Sequence, residues 1–263
     1  MTELINAMKT QKTQFNILDK DKNEQQVDLV YSLLGSWLQN GQILGKESPI
    51  AEKKESFSVF VNTPEVDSLD VKYDNKYTQE KYKKLKEVGL SLPVIENLGI
   101  HPETAYVCDC ASWSSYILYT TFISIESPLR CGDCFGVIPL YKIPKTSEYG
   151  YYDIMAWQGD YQSCDSLQMG CRVGERFGTN QMMKYDSPLS RDGLAICQKI
   201  QELTQIPTYY YLYKGSAHSE KEELNRKCPS CGGKWLRKKP LCDLFDFQCK
   251  KCKLLSNIAW ELK

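Results

Sequence analysis

The chain has 263 residues, 42% of them hydrophobic and 25% charged, with 33 basic and 33 acidic side chains. This composition is ordinary for a globular protein, and the length is enough for two or three small domains. No window approaches about 18 uninterrupted apolar residues, and the N-terminal residues lack a basic start followed by an apolar run. We therefore expect a soluble cytoplasmic protein with no membrane span and no secretory leader.

The first part of the chain, residues 1–102, predicts an α+β domain. Its predicted elements are, in chain order, a strand over Thr13–Leu18, a helix from Val27 to about Asn40, strands over Gln42–Gly45 and Ser56–Asn62, a helix over Thr78–Val88 and a strand over Leu92–Leu98. The helices are indicated by apolar residues three and four positions apart, and the strands by alternation. The order β-α-β-β-α-β is that of a ferredoxin-like unit.

The middle part, residues 103–214, contains several cysteines close together. They occur as the motifs Cys108-Asp-Cys110 and Cys131-Gly-Asp-Cys134 and as the single residues Cys164 and Cys171. A strand after the first motif and a turn before the second would bring four thiols together around a second zinc ion. The two single cysteines are alternative partners for the second motif. Burial as free thiols is the remaining interpretation.

The same middle part predicts an antiparallel sheet covered by a helix. Ser187 is a candidate helix cap, Pro188 suits the first helical position, and an apolar stripe that includes Cys197 follows. The helix must end before Pro207, and the aromatic run Thr208–Tyr213 then reads as a strand. A helix packed on an antiparallel sheet is the expected arrangement.

The C-terminal part, residues 222–263, has the spacing of a zinc ribbon. Cys228-Pro-Ser-Cys231 and Cys249-Lys-Lys-Cys252 are separated by 17 residues, which suits a four-cysteine zinc site with no open coordination position. So short a segment cannot bury enough apolar surface to fold alone, whereas zinc can supply the missing free energy. Twelve cysteines in a cytoplasmic chain also favour thiolate metal sites over disulfides.

Charge is distributed unevenly along the chain. From Arg226 onward there are ten basic and three acidic residues, so this tail is formally +7 and the preceding 225 residues are −7. A compact basic module on an acidic body is typical of proteins that bind polyanions. A solvated lysine surface, or a patch that docks on the acidic body, would give the same composition.

Enzyme signatures are missing from the sequence. There is no dinucleotide or phosphate-binding glycine motif, no Gly-x-Ser-x-Gly and no His-Glu-x-x-His, and the chain has only two histidines. Glu175 and Arg176, between Gly174 and Gly178, are the nearest approach to a polar site, and a structural ion pair explains them. We expect no catalytic residues and no enzymatic activity.

The sequence resembles an uncharacterised bacterial family described as zinc-ribbon-containing proteins with a conjectured role in nucleic-acid binding. The resemblance runs over most of the chain and is carried by the segments Asn40–Pro49, Ser124–Cys134, Gly174–Gly178, Pro207–Tyr213 and Cys228–Trp260. It implies a zinc ion at the four ribbon cysteines.

Two functional hypotheses follow. In the first, the ribbon binds DNA or RNA, with an aromatic side chain of the ribbon stacking on a base. The basic residues that would contact phosphates are Lys234, Arg237, Lys238, Lys239, Lys250 and Lys251. In the second, the acidic body covers the cationic groove of a toxin enzyme, as an immunity protein or antitoxin does.

Overall fold

The computed structural model describes residues 7–20, 23–45, 48–102 and 105–262. Contacts divide the chain into two compact units. The first contains the described residues up to Asp109 together with Ile125–Ser127 and Gly136–Tyr151, and the second contains Cys110–Ser124, Pro128–Phe135 and the chain from Tyr152 onward. The division of the sequence into three domains stays a prediction. None of the described helices is both long and apolar enough to cross a bilayer.

The first unit is a four-stranded sheet with two helices. Its elements are β1 (Lys9–Asn16), α1 (Asn23–Gln39), β2 (Ile50–Lys53), β3 (Ser56–Thr63), α2 (Lys76–Glu87) and β4 (Val94–Ile100). The sheet order is β2-β3-β1-β4, and each neighbouring pair is antiparallel. The observed element order is the predicted β-α-β-β-α-β.

One face of this sheet packs on the helices. Alternate residues of β1 and β3, among them Phe15, Phe57 and Val59, are buried in one apolar cluster with Leu33 and Trp37 of α1. This alternation places every second side chain on the helix side, so the periods of 2 and 3.6 read from the sequence meet in a common core.

The predicted strand over Gln42–Gly45 was wrong. Only Leu44 forms a bridge there, to Asn62, and the segment is bounded by Gly41 and Gly45, both at positive φ. Gln42 is buried because its side-chain amide donates to the backbone oxygen of Ser68 at 3.0 Å and to the Asp74 carboxylate at 3.2 Å. The strand beside β3 is β2, which reaches β3 through a tight turn.

The second unit is a six-stranded sheet with four helices. Its elements are β5 (Tyr116–Leu118), β6 (Leu129–Cys131), α3 (Tyr152–Gly170), α4 (Glu175–Met183), α5 (Pro188–Thr204), β7 (Thr208–Leu212), α6 (Glu220–Leu224), β8 (Leu236–Leu241), β9 (Phe245–Cys249) and β10 (Leu254–Ser256). The sheet order is β6-β5-β7-β10-β9-β8. The molecule is therefore of the mixed α+β class, as predicted.

The expectation of an antiparallel central sheet was wrong. Strand β7 is parallel to both of its neighbours, β5 and β10, so the sheet is mixed and includes the three strands of the C-terminal segment. Parallel neighbours require a long crossover, which α3, α4 and α5 provide between β6 and β7. The predicted long strand over Tyr116–Ile125 ends at Leu118, where Gln162 of α3 binds the following loop by donating to the backbone oxygen of Ser124 at 2.6 Å.

The helix predicted after Ser187 is confirmed as α5. The Ser187 hydroxyl accepts from the Ser190 amide at 3.1 Å, and Pro188 occupies the first turn. Gly193 lets this helix approach β7 closely, because a Cβ there would lie 2.2 Å from the ring of Tyr210. Cys197 is buried on the same helix, as expected from the apolar stripe.

Candidate metal centres

Two groups of four cysteines are assembled in the structure. They are Cys228, Cys231, Cys249 and Cys252, called here the ribbon site, and Cys108, Cys110, Cys131 and Cys134, called here the central site. In each group all four sulfur atoms lie within 4.8 Å of one another. All twelve cysteines of the chain are free of disulfide bonds. Cys164 and Cys171 belong to neither group, since the first is buried in α3 and the second is exposed at its end.

The sulfur spacing fits a tetrahedral metal. A zinc–sulfur bond of about 2.3 Å implies a tetrahedron with edges of about 3.8 Å. The sulfurs of Cys231 and Cys249 are 3.7 Å apart in the ribbon site, and those of Cys110 and Cys131 are 4.0 Å apart in the central site. The four-thiolate donor set therefore suits zinc at both sites.

Three of the four cysteine motifs share one local turn. In the ribbon site the amide of Gly232 donates to the oxygen of Cys228 at 2.9 Å, and Gly232 has φ of +68°. Phe135 repeats both features in the central site, with an amide bond to the oxygen of Cys131 at 2.9 Å and φ of +61°. Lys253, which follows Cys252, has φ of +54°. Each Cys-x2-Cys motif thus turns the chain into a left-handed residue directly after its second cysteine.

Backbone amides also point at the sulfurs. The amide of Cys252 lies 3.4 Å from the Cys249 sulfur, and the amide of Asp133 lies 3.3 Å from the Cys131 sulfur. Four thiolates around one Zn²⁺ leave a net charge of about −2, and such N–H donors stabilise that charge and orient the ligands. The same residue pair, an amide after the first cysteine and a left-handed turn after the second, recurs at both sites.

Charge and burial act differently on the ribbon thiols. The amide of Gly233, which hydrogen-bonds the sulfur, lowers the pKa of Cys231 to about 7, whereas burial raises the pKa of Cys228 to about 12. One ligand is therefore ready as a thiolate near neutral pH, and another must lose its proton to the incoming metal.

Asp133 is an additional residue of the central site. Its carboxylate accepts from the amide of Ser114 at 2.9 Å and lies 3.8 Å from the sulfur of Cys131. Hydrogen bonds from the hydroxyl and amide of Ser114 lower the pKa of Asp133, so this carboxyl stays ionised. Asp133 was not predicted from the sequence, and neither were Phe135 and Lys253. Their position relative to the cysteines, compared with that of Gly232, was the available signal for the last two.

The aromatic residues of the C-terminal segment are buried. Trp235 is 3% exposed, and Phe245 and Phe247 are fully buried, so none of them can stack on a base as expected. Arg226 lies over Trp235 and Phe247, 4.9 and 4.2 Å from the ring centres, and pairs with Glu223 at 3.1 Å. These rings therefore form the core of the segment.

The basic side chains of the segment fall into two classes. Five are exposed, and they are called here the ribbon lysines: Lys234, Lys238, Lys239, Lys250 and Lys251. Arg237 is half-buried, and its guanidinium donates to the backbone oxygen of Lys239 at 3.0 Å and to the side-chain oxygen of Gln248. Of the six predicted phosphate-contacting residues, Arg237 is the one bonded within the protein.

Comparison with known proteins gives three matching family models, each a domain of unknown function. They are DUF8589 over residues 8–99, DUF2310 over residues 110–213 and DUF8594 over residues 217–262. A second uncharacterised protein of Haemophilus influenzae (strain ATCC 51907 / DSM 11121 / KW20 / Rd), beside the one described next, is 41% identical over 55% of this chain and 71% of its own length. A solved structure described as a conserved protein from Methanosarcina mazei Go1 shares 15% identity and a TM-score of 0.30 over 37% of this chain and 96% of that one.

The most extensive of these matches covers nearly the whole sequence. An uncharacterised protein of the same Haemophilus influenzae strain is 34% identical over 254 residues, which is 95% of this chain and 97% of that protein. The chain belongs to the family of this uncharacterised bacterial protein.

Proposed function

We propose that this protein is a non-enzymatic zinc protein that binds nucleic acid through the phosphate backbone, using the ribbon lysines. The observation that carries the proposal is the exposure of all five lysines around the ribbon site, in a tail of formal charge +7. Clustered exposed lysines attract a polyanion and release its counterions on binding. Neither cofactor chemistry nor a titrating catalytic group enters this role.

Zinc has a structural part in this proposal. Four thiolates fill a tetrahedral coordination sphere, so neither site leaves a position at which water or a substrate can be activated. The ribbon site fixes the turn that carries Lys250 and Lys251 between two of its ligands. Loss of zinc from the ribbon should therefore also lose the arrangement of these lysines.

The expected binding is sequence-tolerant. Because the aromatic rings of the segment are buried, base stacking contributes nothing, and phosphate contacts carry little sequence information. With up to five lysines engaged, we expect log Kd to change with log salt concentration with a slope of about 3 to 5.

The test is fluorescence anisotropy of labelled single-stranded DNA, double-stranded DNA and RNA oligonucleotides with the zinc-loaded protein at several salt concentrations. The variant Lys238→Glu/Lys239→Glu/Lys250→Glu/Lys251→Glu should lose binding while it keeps its zinc. The matched control is Lys83→Glu/Lys84→Glu, which reverses two exposed lysines of α2 and should bind as the unmodified protein does. Absence of binding at low salt, or equal affinity of the four-lysine variant, would overturn the proposal.

A further inference from the structure

The edge strand β8 contains a large bulge. Leu236 pairs with Phe247 and Leu241 pairs with Phe245, so the four residues from Arg237 to Pro240 face the single residue Asp246 of β9. An insertion of this size must arch out of the sheet, since its backbone cannot follow the ladder. The arch carries Lys238 and Lys239, both exposed.

Arg237 closes this arch and ties it to the sheet. Its Nε donates to the backbone oxygen of Lys239, two residues further along the arch, at 3.0 Å. Its terminal nitrogen donates to the side-chain oxygen of Gln248 on β9. A guanidinium can make both bonds at once because its donors are held in a planar fork, whereas a lysine ammonium cannot reproduce that geometry.

We propose that Arg237 is a positioning residue, which holds the arch so that Lys238 and Lys239 contact adjacent phosphodiester groups of a nucleic acid. This inference rests on the proposed function and assigns different roles to neighbouring basic residues. Arg237 acts through the arch, and Gln248 is its anchor. The phosphates are bound by the two lysines.

An edge strand has another reason to carry lysine and proline. Charged residues and proline on an edge prevent pairing with a strand from another chain. That role requires no fixed direction for the lysines, so it does not call for an arginine bonded at both ends of the arch. The two roles differ in what happens when Arg237 or its anchor is altered without a change in charge.

The experiment is a double-mutant cycle measured by anisotropy over a series of salt concentrations with a labelled oligonucleotide. Lys238→Ala/Lys239→Ala should reduce the salt slope by about two, one for each phosphate group that is no longer bound. Arg237→Lys should weaken binding by about tenfold and reduce the slope nearly as much, although the net charge is unchanged. Combined with the lysine pair, Arg237→Lys should add little, because its effect is transmitted through those lysines.

Gln248→Ala supplies the charge-neutral arm of the test. Removing the anchor should weaken binding if Arg237 positions the arch, whereas it should leave binding unchanged or strengthen it if the freed guanidinium itself contacts phosphate. Zinc content and near-ultraviolet circular dichroism check that each variant is folded, and Lys83→Ala/Lys84→Ala is the matched control.

The inference is overturned if Arg237→Lys and Gln248→Ala bind as tightly as the unmodified protein, or if Arg237→Lys adds fully to the lysine pair. Failure of the unmodified protein to bind any oligonucleotide would instead refute the proposed function, and the inference with it.

Discussion

The four-stranded sheet and the six-stranded sheet end their strands differently. In the first, β2 and β3 are joined by an ordinary tight turn, and the sheet rests on a cluster of thirteen buried apolar side chains. In the second, β6 ends at Cys131 and β9 ends at Cys249, so two strands run directly into cysteine motifs. On the sheet face that carries Tyr209 and Tyr211, the buried cluster has five members.

This difference teaches where a metal is needed. A sheet with a continuous apolar core on helices can be stable from burial alone. A sheet whose strand ends gather four thiols gains stability only when those thiols share a cation, because desolvated or mutually repelling sulfurs otherwise oppose the fold. We therefore expect zinc to control the six-stranded sheet, whereas the four-stranded sheet should depend on its apolar core.

The largest expected effect comes from removing a ribbon ligand. Cys249→Ser should release one zinc per chain and destabilise the six-stranded sheet by about 5 kcal/mol or more, a fraction of the roughly 10–16 kcal/mol that zinc supplies to small metal-folded domains. Hydrogen exchange should then accelerate in β10 and in its parallel neighbour β7. Unchanged exchange in β7 would show that the sheet does not depend on the ribbon site.

A core variant of the other sheet sharpens the contrast. Phe57 is fully buried, so Phe57→Ala should cost about 3–5 kcal/mol through reduced burial and a residual cavity. Denaturant unfolding followed by hydrogen exchange in β1 and β3 measures this cost. The zinc content should stay unchanged, and a loss of zinc would break the distinction between the two sheets.

A smaller effect is expected at the turn of the ribbon site. Gly232 has φ of +68°, so Gly232→Ala should cost about 1–2 kcal/mol of left-handed strain and weaken zinc binding by about tenfold in a chelator competition. Gly233→Ala is the control, because that residue is outside the left-handed region and its added Cβ would only contact the Cys231 sulfur at 3.4 Å. Equal losses for both variants would contradict the role of the turn.

The smallest expected effect concerns pH in the four-stranded unit. Burial raises the pKa of Asp74 from 3.8 to about 6, and its Oδ2 has no partner among the described residues. The folded state therefore binds this proton more tightly than the unfolded state, so the contribution of Asp74 to stability falls as pH rises from about 4 to about 6. The zinc sites respond in the opposite direction, since acid protonates their thiolates.

Asp74→Asn isolates this contribution. Because Asp74 is half-exposed, solvent screening limits the expected gain to about 1 kcal/mol above pH 7, with no gain near pH 4. Denaturant unfolding of both proteins at the two pH values measures it. A stability difference that does not change with pH would refute the account of Asp74.

Local patterns predicted more of this molecule than long-range pairing. The helix capped by Ser187 and the spacing of the four ribbon cysteines depend on neighbours in the sequence, and both appear in the structure as expected. The parallel pairing of β7 with β10 joins segments more than forty residues apart. No feature of either strand alone specifies its partner, so the mixed sheet was not predicted.

The central site shows the same limit in its ligands. The sequence offered Cys164 and Cys171 as alternative partners for Cys131 and Cys134, because spacing alone does not rank pairs that a fold must bring together. Left-handed φ at Phe135 was also unexpected, since a bulky residue rarely adopts it. A requirement of the cysteine turn outweighs the local preference there.

Metal analysis of the purified chain tests the central claim most directly. Inductively coupled plasma mass spectrometry should find two zinc ions per chain, falling to one in Cys249→Ser and to one in Cys134→Ser. The proposed sites predict these counts because each variant removes one ligand from one group of four. One zinc or none in the unmodified protein, or iron in place of zinc, would contradict the account of two structural zinc sites.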